Sequence, residues 1–272
     1  MSNILLIGDM VGYGNLGMSA MIPILSKMKF EILRLPSSLV SNNFCYERFA
    51  VMDTTDYMRQ CIEIWEQEAF HIDAVSTGFL VSEEQTRIVA DYCRKLKSRG
   101  AKIFVDPIMA DDGKLYNGVT TKTVEYMRSM CKVADVIVPN MTEATFLAGR
   151  YEGKTSLSRA EAEELIMLLH HMGENSVVIS SMVMDGITCT MLYDAQTAKT
   201  SILPYQLIPA QFSGTGDMFS SILIGHFLHG ASLEESVLKA MNFVSHMIEV
   251  NKTYPAPDNG IPIERYLDDI VL

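Results

Sequence analysis

Short apolar runs alternate with amphipathic stretches along most of the sequence, and this alternation limits the folds open to the chain. Apolar runs of this kind stand at residues 4–7, 31–35, 72–76, 102–105 and 136–138. The stretches between them space their apolar residues as helices do. Runs without polar alternation suit strands buried on both faces of a parallel sheet. The pattern therefore predicts an α/β fold with a doubly wound, mostly parallel central sheet flanked by helices.

The rhythm changes after residue 176. Two further runs, at residues 187–193 and 199–203, stand close together and predict an antiparallel extension of the sheet. We find no repeat and no linker, so residues 1–272 are expected to form a single domain. The stretch at residues 254–262 is rich in proline and glycine and is expected to be a surface loop.

A glycine-rich loop is expected at residues 9–17, after the first strand. Residues 12–17 match Gly-x-Gly-x-x-Gly, the fingerprint of dinucleotide-binding folds. We set that match aside because several residues separate it from the predicted strand. In addition, the second strand is expected to stop at Pro36 without the acidic residue that the fingerprint requires. A loop that cradles a small substrate is the better interpretation.

Composition excludes several classes of partner. The net charge is -11 with no basic block, which argues against nucleic acid and against anionic membranes. No stretch is long and apolar enough to span a bilayer, and the N-terminus lacks a signal peptide pattern. The five cysteines are scattered without metal-binding spacing. We therefore expect a cytoplasmic protein with reduced thiols.

Residues 212–217 read Phe-Ser-Gly-Thr-Gly-Asp and lead into a run of apolar residues with helical spacing. Glycine lets a ligand approach the main chain, and the N–H groups at a helix N-terminus favour an anion such as phosphate. A carboxylate at Asp217 would suit the removal of a proton from a hydroxyl that attacks phosphorus. The alternative is that Asp217 only caps the helix.

Polar residues also follow the predicted strands. Asp9, Asp106 and Asn140 stand at strand ends, as do Ser180 and Ser181. In a doubly wound sheet, ligands bind beyond the carboxyl ends of the strands. Asp106, Asp111, Asn140 and Glu143 carry oxygen ligands that suit Mg²⁺ beside substrate phosphates. Alternatively, Asp106 and Asn140 cap loops and Glu143 opens a helix.

These features together resemble the ribokinase superfamily and, within it, the pyridoxal kinases, over nearly the whole chain. Residues 212–217 resemble the anion-hole signature of the superfamily. Residues 105–116 resemble the Asp-Pro-Val-Met-Gly-Asp segment of vitamin kinases, and residues 138–144 resemble their Thr-Pro-Asn-x-x-Glu motif. Residues 12–15 and 41–43 resemble two pyridoxal kinase loops.

The resemblance implies an ATP-dependent kinase that phosphorylates the 5′-hydroxymethyl group of a vitamin B6 vitamer. It implies Mg²⁺, a monovalent cation such as K⁺ near Asp106, and a homodimer. The implied catalytic residues are Asp217, Gly214, Thr215 and Gly216. The implied vitamer-binding residues are Asp9, Tyr13, Val40, Asn43 and Phe79. The implied ATP-binding residues are Asp111, Asn140, Glu143, Ser180, Ser181, Phe212 and Ser213, and the implied metal ligands are Asp106, Asp111 and Glu143.

Two departures from the family pattern bear on the substrate. Asp9 stands where the family usually has serine, and Asn43 stands where it usually has histidine. An acidic residue at position 9 favours an amine-bearing ring such as pyridoxamine or hydroxymethylpyrimidine. Two alternatives thus stay open: a hydroxymethylpyrimidine kinase of the same superfamily, and a non-catalytic binding protein with this fold.

Overall fold

The structure is a computed structural model that describes residues 2–116 and 119–271. The strands are β1 (Asn3–Val11), β2 (Glu31–Val40), β3 (Val51–Asp53), β4 (Ala74–Thr77), β5 (Lys102–Val105), β6 (Ala110–Asp111), β7 (Lys114–Leu115), β8 (Val136–Ile137), β9 (Ser176–Met184), β10 (Ile187–Asp194) and β11 (Lys199–Pro204). The α-helices are α1 (Met18–Lys27), α2 (Thr55–Gln67), α3 (Glu83–Ser98), α4 (Thr121–Cys131), α5 (Met141–Ala148), α6 (Arg159–Gly173), α7 (Thr215–Leu228) and α8 (Leu233–Asn251). Within the described ranges, no helix has both the length and the apolar character needed to cross a membrane.

The chain divides into two compact units, and the first consists of Met1–Val81 and Ile208–Leu272. Its strands lie in the order β4-β1-β2-β3; β1 pairs in parallel with β2 and β4, while β3 is antiparallel to β2. Helix α7 packs against α1 and α8. The parallel pairing places the carboxyl ends of β1, β2 and β4 at one edge of this unit.

The second unit is Ser82–Leu207. Here β8 pairs in parallel with β5 and β9, and β10 is antiparallel to both β9 and β11. The antiparallel extension is therefore confirmed, and so is the mostly parallel α/β fold class. The small hairpin of β6 and β7 was not expected from the sequence. That residues 1–272 act as one domain stays a prediction.

The first two strands are longer than the sequence predicts. Strand β1 continues through Asp9 to Val11, so the loop begins three residues later than expected. Strand β2 continues through Pro36 to Val40, and the prediction that Pro36 ends it was wrong. Proline is tolerated where a ladder is irregular or at an edge. Both conditions hold, because the register with β1 shifts beside the Gly8–Pro36 pair and β3 pairs only from Ser38 onward.

The C-terminal segment at residues 254–262 is largely at the surface, as its composition predicts, but it is more ordered and more closely packed than a free loop. Pro257–Asn259 forms a 3₁₀ turn, and the side chain of Ile261 is fully buried. Asn15 donates its backbone N–H to the carbonyl oxygen of Asn259, at 2.7 Å. We call residues 254–262 the tail, and it packs on the glycine-rich loop after β1.

Candidate active site

The loop before α7, residues 212–216, is called the anion loop here, and its two glycines differ in surroundings. Gly214 is the N-cap of α7 with φ of 79°, a left-handed conformation that favours glycine. A Cβ at Gly214 would lie 2.3 Å from the carbonyl oxygen of Asn15. A Cβ at Gly216 would meet open space. The first glycine therefore fixes the turn, and the second leaves room beside the N–H groups that lack helical partners.

Asp217 lies in the first turn of α7, as predicted. Its Oδ2 accepts a hydrogen bond from the backbone N–H of Gly17, at 2.9 Å. Gly17 has φ of 53°, and a Cβ there would lie 2.7 Å from the carbonyl oxygen and from Oδ1 of Asp9. Asp9 and Asp217 therefore border the same glycine, and the carboxylate of Asp217 has a fixed orientation.

Asp9 is half-buried within β1 rather than exposed in a loop. Burial raises the pKa of its carboxyl above the ordinary value of 3.8, and a backbone hydrogen bond partly opposes this shift. A half-buried carboxyl of this kind is stabilised by a cation or by a hydrogen-bond donor that a ligand brings.

The other predicted vitamer residues lie around the same strand ends. Val40 is buried at the end of β2, where its carbonyl accepts the N–H of Gly12 at 2.7 Å. Phe79 follows β4, and its carbonyl accepts the hydroxyl of Ser37 at 2.6 Å. Tyr13 extends from the glycine-rich loop and is 60% exposed. The unit thus brings Asp9, Val40 and Phe79 to one edge.

An aromatic group at this edge was missed by the sequence reasoning. The ring of Phe44 packs edge-on against Phe49 and Phe79, with centroid separations of 4.8 and 6.2 Å. Phe44 and Phe49 are nevertheless partly exposed. The only signal in the sequence was the unusual concentration of aromatic residues between β2 and β3.

The side-chain amide of Asn43 makes three hydrogen bonds within the protein. Its Nδ2 donates to Ser213 Oγ at 2.9 Å and to the carbonyl oxygen of Asp258 at 2.7 Å. Its Oδ1 accepts the N–H of Cys45 at 3.1 Å. The predicted contact between Asn43 and a substrate ring stays a prediction, but both amide hydrogens are already used within the protein.

Ser38 is a polar residue that was not predicted to be part of the site. It is the register partner of Asp9 across β1 and β2, and its side chain is fully buried. Its Oγ has no hydrogen-bond partner among residues 2–116 and 119–271. A buried hydroxyl without a partner costs about 1–3 kcal/mol of stability.

In the second unit, Glu143 and Asn140 form a reciprocal cap at the start of α5. Asn140 Oδ1 accepts the N–H of Glu143, and Glu143 Oε2 accepts the N–H of Asn140, both at 2.9 Å. Glu143 Oε1 also accepts the N–H of Met109 at 3.0 Å, and Asn140 Nδ2 donates to the carbonyl of Ala110 at 2.8 Å. The capping role considered as an alternative for these two residues is therefore present.

Glu143 is also an unusual carboxyl group. It is 3% exposed. Burial, and then the negative charge of nearby Asp106, raise its pKa well above 4.5, while backbone N–H groups oppose the shift. Glu143 thus organises the loop after β5 around a buried acid. Asp111 lies on β6, where its Oδ1 accepts the N–H of Asp112.

The predicted metal ligands Asp106, Asp111 and Glu143 do not form a three-carboxylate cluster. Across the part of the chain that the structure describes, no three His, Cys, Asp or Glu side chains are placed to hold a metal ion. The reason is that Glu143 turns its oxygens to its own helix N-terminus and to residues 109–110. A magnesium ion that arrives on nucleotide phosphates needs only one or two carboxylates and water, so Asp106 and Asp111 still suit it.

Ser180 and Ser181 lie within β9 rather than just after it. Ser180 bridges to Asn140 on the neighbouring chain segment. Ser181 has φ of 52° and is exposed, and the β9–β10 register is irregular opposite it. The bridge places Asn140 beside Ser180, and the role of these residues in ATP binding stays a prediction.

A mostly parallel α/β scaffold with a glycine turn and an aspartate at a helix N-terminus is the arrangement expected of phosphotransferases that resemble ribokinase. The phosphomethylpyrimidine kinase family matches residues 26–261, and the chain belongs to this family.

Solved structures extend the similarity. A Bacteroides thetaiotaomicron protein assigned as a phosphomethylpyrimidine kinase and crystallised with pyridoxal is 31% identical, with a TM-score of 0.93 over 100% of this chain and 96% of the other. Pyridoxal kinase from Leishmania donovani, in complex with ADP and pyridoxamine, is 25% identical, with a TM-score of 0.85 over 98% and 95% of the two chains.

Pyridoxal kinase from Arabidopsis thaliana is 31% identical over 160 residues, which is 56% of this chain and 49% of the relative. The chain thus aligns with about half the length of this relative. The predicted resemblance to the ribokinase superfamily and its pyridoxal kinases is confirmed.

The predicted gap between the first strand and the glycine pattern is absent. Because β1 extends to Val11, the glycine pattern at residues 12–17 directly follows the strand. The acidic residue that a dinucleotide site requires at the end of the second strand is also absent, since β2 ends at Val40.

Proposed function

We propose that this chain is an ATP-dependent kinase that phosphorylates the 5′-hydroxymethyl group of a vitamin B6 vitamer, with residues 1–272 working as one catalytic domain. The observation that carries the proposal is the placement of Asp217 at the N-terminus of α7, where the backbone N–H of Gly17 orients its carboxylate. The relatives crystallised with pyridoxal, or with ADP and pyridoxamine, support the choice of substrates.

In this proposal, Asp217 accepts the proton of the vitamer hydroxyl as the oxygen attacks the γ-phosphate. The N–H groups of Gly214, Thr215 and Gly216 stabilise charge that develops on the phosphoryl oxygens. Phosphoryl transfer depends mainly on positioning and on such electrostatic stabilisation. The helix dipole of α7 adds to the positive potential at the same place.

The vitamer would lie at the strand ends of the first unit. Asp9, Val40 and Phe79 would border the ring, and Tyr13 would cover it from the glycine-rich loop. The carboxyl of Asp9 would pair with a cationic aminomethyl group, which favours pyridoxamine over pyridoxal. The aromatic group around Phe44 supplies apolar surface for a planar ring.

The proposed nucleotide-binding residues are those that the family resemblance implies. Phe212 and Ser213 lie on the anion loop, and Asn140, Ser180 and Ser181 share one edge of the second unit. Mg²⁺ carried on the phosphates would be held by Asp106 or Asp111 and would neutralise phosphate charge. Glu143 would act by fixing the loop that bears Asp111. A monovalent cation near Asp106 is proposed only from the family resemblance.

The second candidate is a hydroxymethylpyrimidine kinase. The family description and the acidic Asp9 favour it, because an aminopyrimidine ring offers donors to a carboxylate. A coupled assay of ADP release over pyridoxal, pyridoxine, pyridoxamine and hydroxymethylpyrimidine separates the two. Turnover of B6 vitamers is expected, and turnover of hydroxymethylpyrimidine alone would reverse the assignment. If none of the four compounds supported ATP consumption, a non-catalytic binding protein would be favoured.

We also propose a cytoplasmic homodimer. All five cysteines are free, and four of them are buried, which suits a reducing compartment. Strand β3 is an edge strand whose three residues are exposed, including Val51 and Met52. Such an edge is usually covered or paired. Sedimentation velocity would measure the oligomeric state.

A further inference from the structure

The side chain of Asn43 joins three separate segments of the first unit. Asn43 follows β2, Ser213 belongs to the anion loop, and Asp258 belongs to the tail. Both hydrogens of its amide are used, one by Ser213 Oγ at 2.9 Å and one by the Asp258 carbonyl at 2.7 Å. We call these three residues the Asn43 clasp. Its oxygen bonds Cys45 N–H, which fixes the amide against its own loop.

Other contacts hold the same segments together. Tyr46 donates its hydroxyl to Asn259 Oδ1 at 2.5 Å. The N–H of Ser213 donates to the Pro257 carbonyl at 3.2 Å. Asn15 Nδ2 donates to the Ile261 carbonyl at 2.9 Å. The tail is therefore bonded to the loop after β2, to the anion loop and to the glycine-rich loop.

Close backbone packing makes the anion loop sensitive to this arrangement. A Cβ at Gly260 would lie 2.5 Å from the carbonyl oxygen of Asn15 and 3.1 Å from that of Ser213. Gly214 packs on the same Asn15 oxygen from its own side. Since two glycine backbones enclose one carbonyl group, a shift of the tail is transmitted to Gly214.

We propose that Asn43 is a positioning residue for phosphoryl transfer, which acts through Ser213 and the tail to hold the N–H groups of the anion loop in place. The proposal rests on the proposed kinase function. It gives Asn43 a role distinct from contact with the vitamer ring. A misplacement of about 1 Å at a reacting centre costs on the order of 10²-fold in rate. Loss of the clasp should therefore reduce kcat, with little effect on vitamer binding.

The first test compares Asn43→Ala with Asn43→Asp. Aspartate keeps the shape and the acceptor for Cys45 but cannot donate to the Asp258 carbonyl. Both variants should lower kcat by roughly 10–100-fold, by the same factor for every accepted hydroxymethyl substrate, with nearly unchanged vitamer KM. Asn42→Ala is the matched control, because the amide nitrogen of Asn42 donates, among the described residues, to backbone carbonyls of the same loop, those of Asn43 and Arg48. It should retain near-normal kcat.

A double-mutant cycle tests the route through Ser213. If the clasp is the cause, Asn43→Ala and Ser213→Ala should be strongly non-additive in kcat, and the double variant should be little worse than Asn43→Ala alone. Additive effects would overturn the proposal. So would a vitamer-dependent rise in KM with normal kcat, which is the result expected of a ring contact.

Hydrogen exchange provides a readout that does not need activity. Asn43→Ala should speed exchange at the Asn259 and Gly260 amides, which bond Ala256 and Pro257 within the tail. Unchanged exchange there would refute the clasp. If the wild type turned over none of the substrates, the kinase proposal would fail, while exchange would still decide whether Asn43 holds the tail. A lower melting temperature with normal kcat would show a purely structural role and overturn the proposal.

Discussion

The two glycines of the anion loop give a sharp test, because alanine should affect stability differently at each. Gly214→Ala forces an alanine into left-handed φ, at a cost of about 1–2 kcal/mol. It also places a Cβ 2.3 Å from the Asn15 carbonyl oxygen, so the backbone must move. The combined loss is large against a typical total of about 5–15 kcal/mol.

Gly216→Ala should not destabilise the chain. Gly216 lies within α7, and its Cβ would meet open space, so alanine adds up to about 1 kcal/mol of helix propensity without a clash. The same methyl group would occupy the space that we assign to the γ-phosphate. Turnover should therefore fall by about 10²–10³-fold, as when one oxyanion-hole donor is lost.

Urea denaturation and the coupled ADP-release assay on the same preparations decide the matter. The expected result is an unstable, inactive Gly214→Ala and a stable, inactive Gly216→Ala. Normal turnover in a stable Gly216→Ala would refute the phosphate assignment and leave residues 212–216 as a structural turn. Equal destabilisation of both variants would show that a Cβ at position 216 meets neighbouring atoms.

Three further predictions concern single side chains. Asp217→Asn should keep the melting temperature while turnover falls by about 10²–10⁴-fold; a helix cap alone would give the reverse, near-normal turnover with at most a modest loss of stability. Ser38→Ala removes a buried hydroxyl without a partner and should raise the free energy of unfolding by about 1 kcal/mol. A lower free energy of unfolding would contradict the absence of a hydrogen-bond partner for this hydroxyl. The raised pKa of Asp9 means that the folded state binds a proton more tightly than the unfolded state. The free energy of unfolding of the wild type, compared with that of Asp9→Asn, should therefore decline as pH rises above about 4 and through the pKa of the folded state. A difference between the two proteins that stays constant in urea titrations up to about pH 8 would contradict this prediction.

Elements with strong local signals were predicted closely from the sequence. Strand β5 has the predicted bounds, residues 102–105. The glycine turn before Asp217 was also located correctly. In these cases, the residue pattern alone determines the conformation.

The errors arose where distant segments override local preference. Pro36 is a strand breaker in isolation, but an irregular register and a short neighbour remove the need for its N–H. The tail has loop composition, yet Asn15 and Asn43 supply its hydrogen-bond partners from residues more than two hundred positions away. The metal role predicted for Glu143 stays a prediction, and the sequence did not reveal that its oxygens accept backbone N–H groups of residues 109 and 140.

The division of the chain has a consequence for the order of folding. The second unit is one continuous segment, whereas the first needs both Met1–Val81 and Ile208–Leu272. As a nascent chain leaves the ribosome, the second unit can fold first, since domains form as soon as their residues emerge. Helix α7, with Asp217, can pack on α1 only after residues 215–228 have also emerged. Nascent chains that end before α7 would therefore lack Asp217, the residue that we propose as the base.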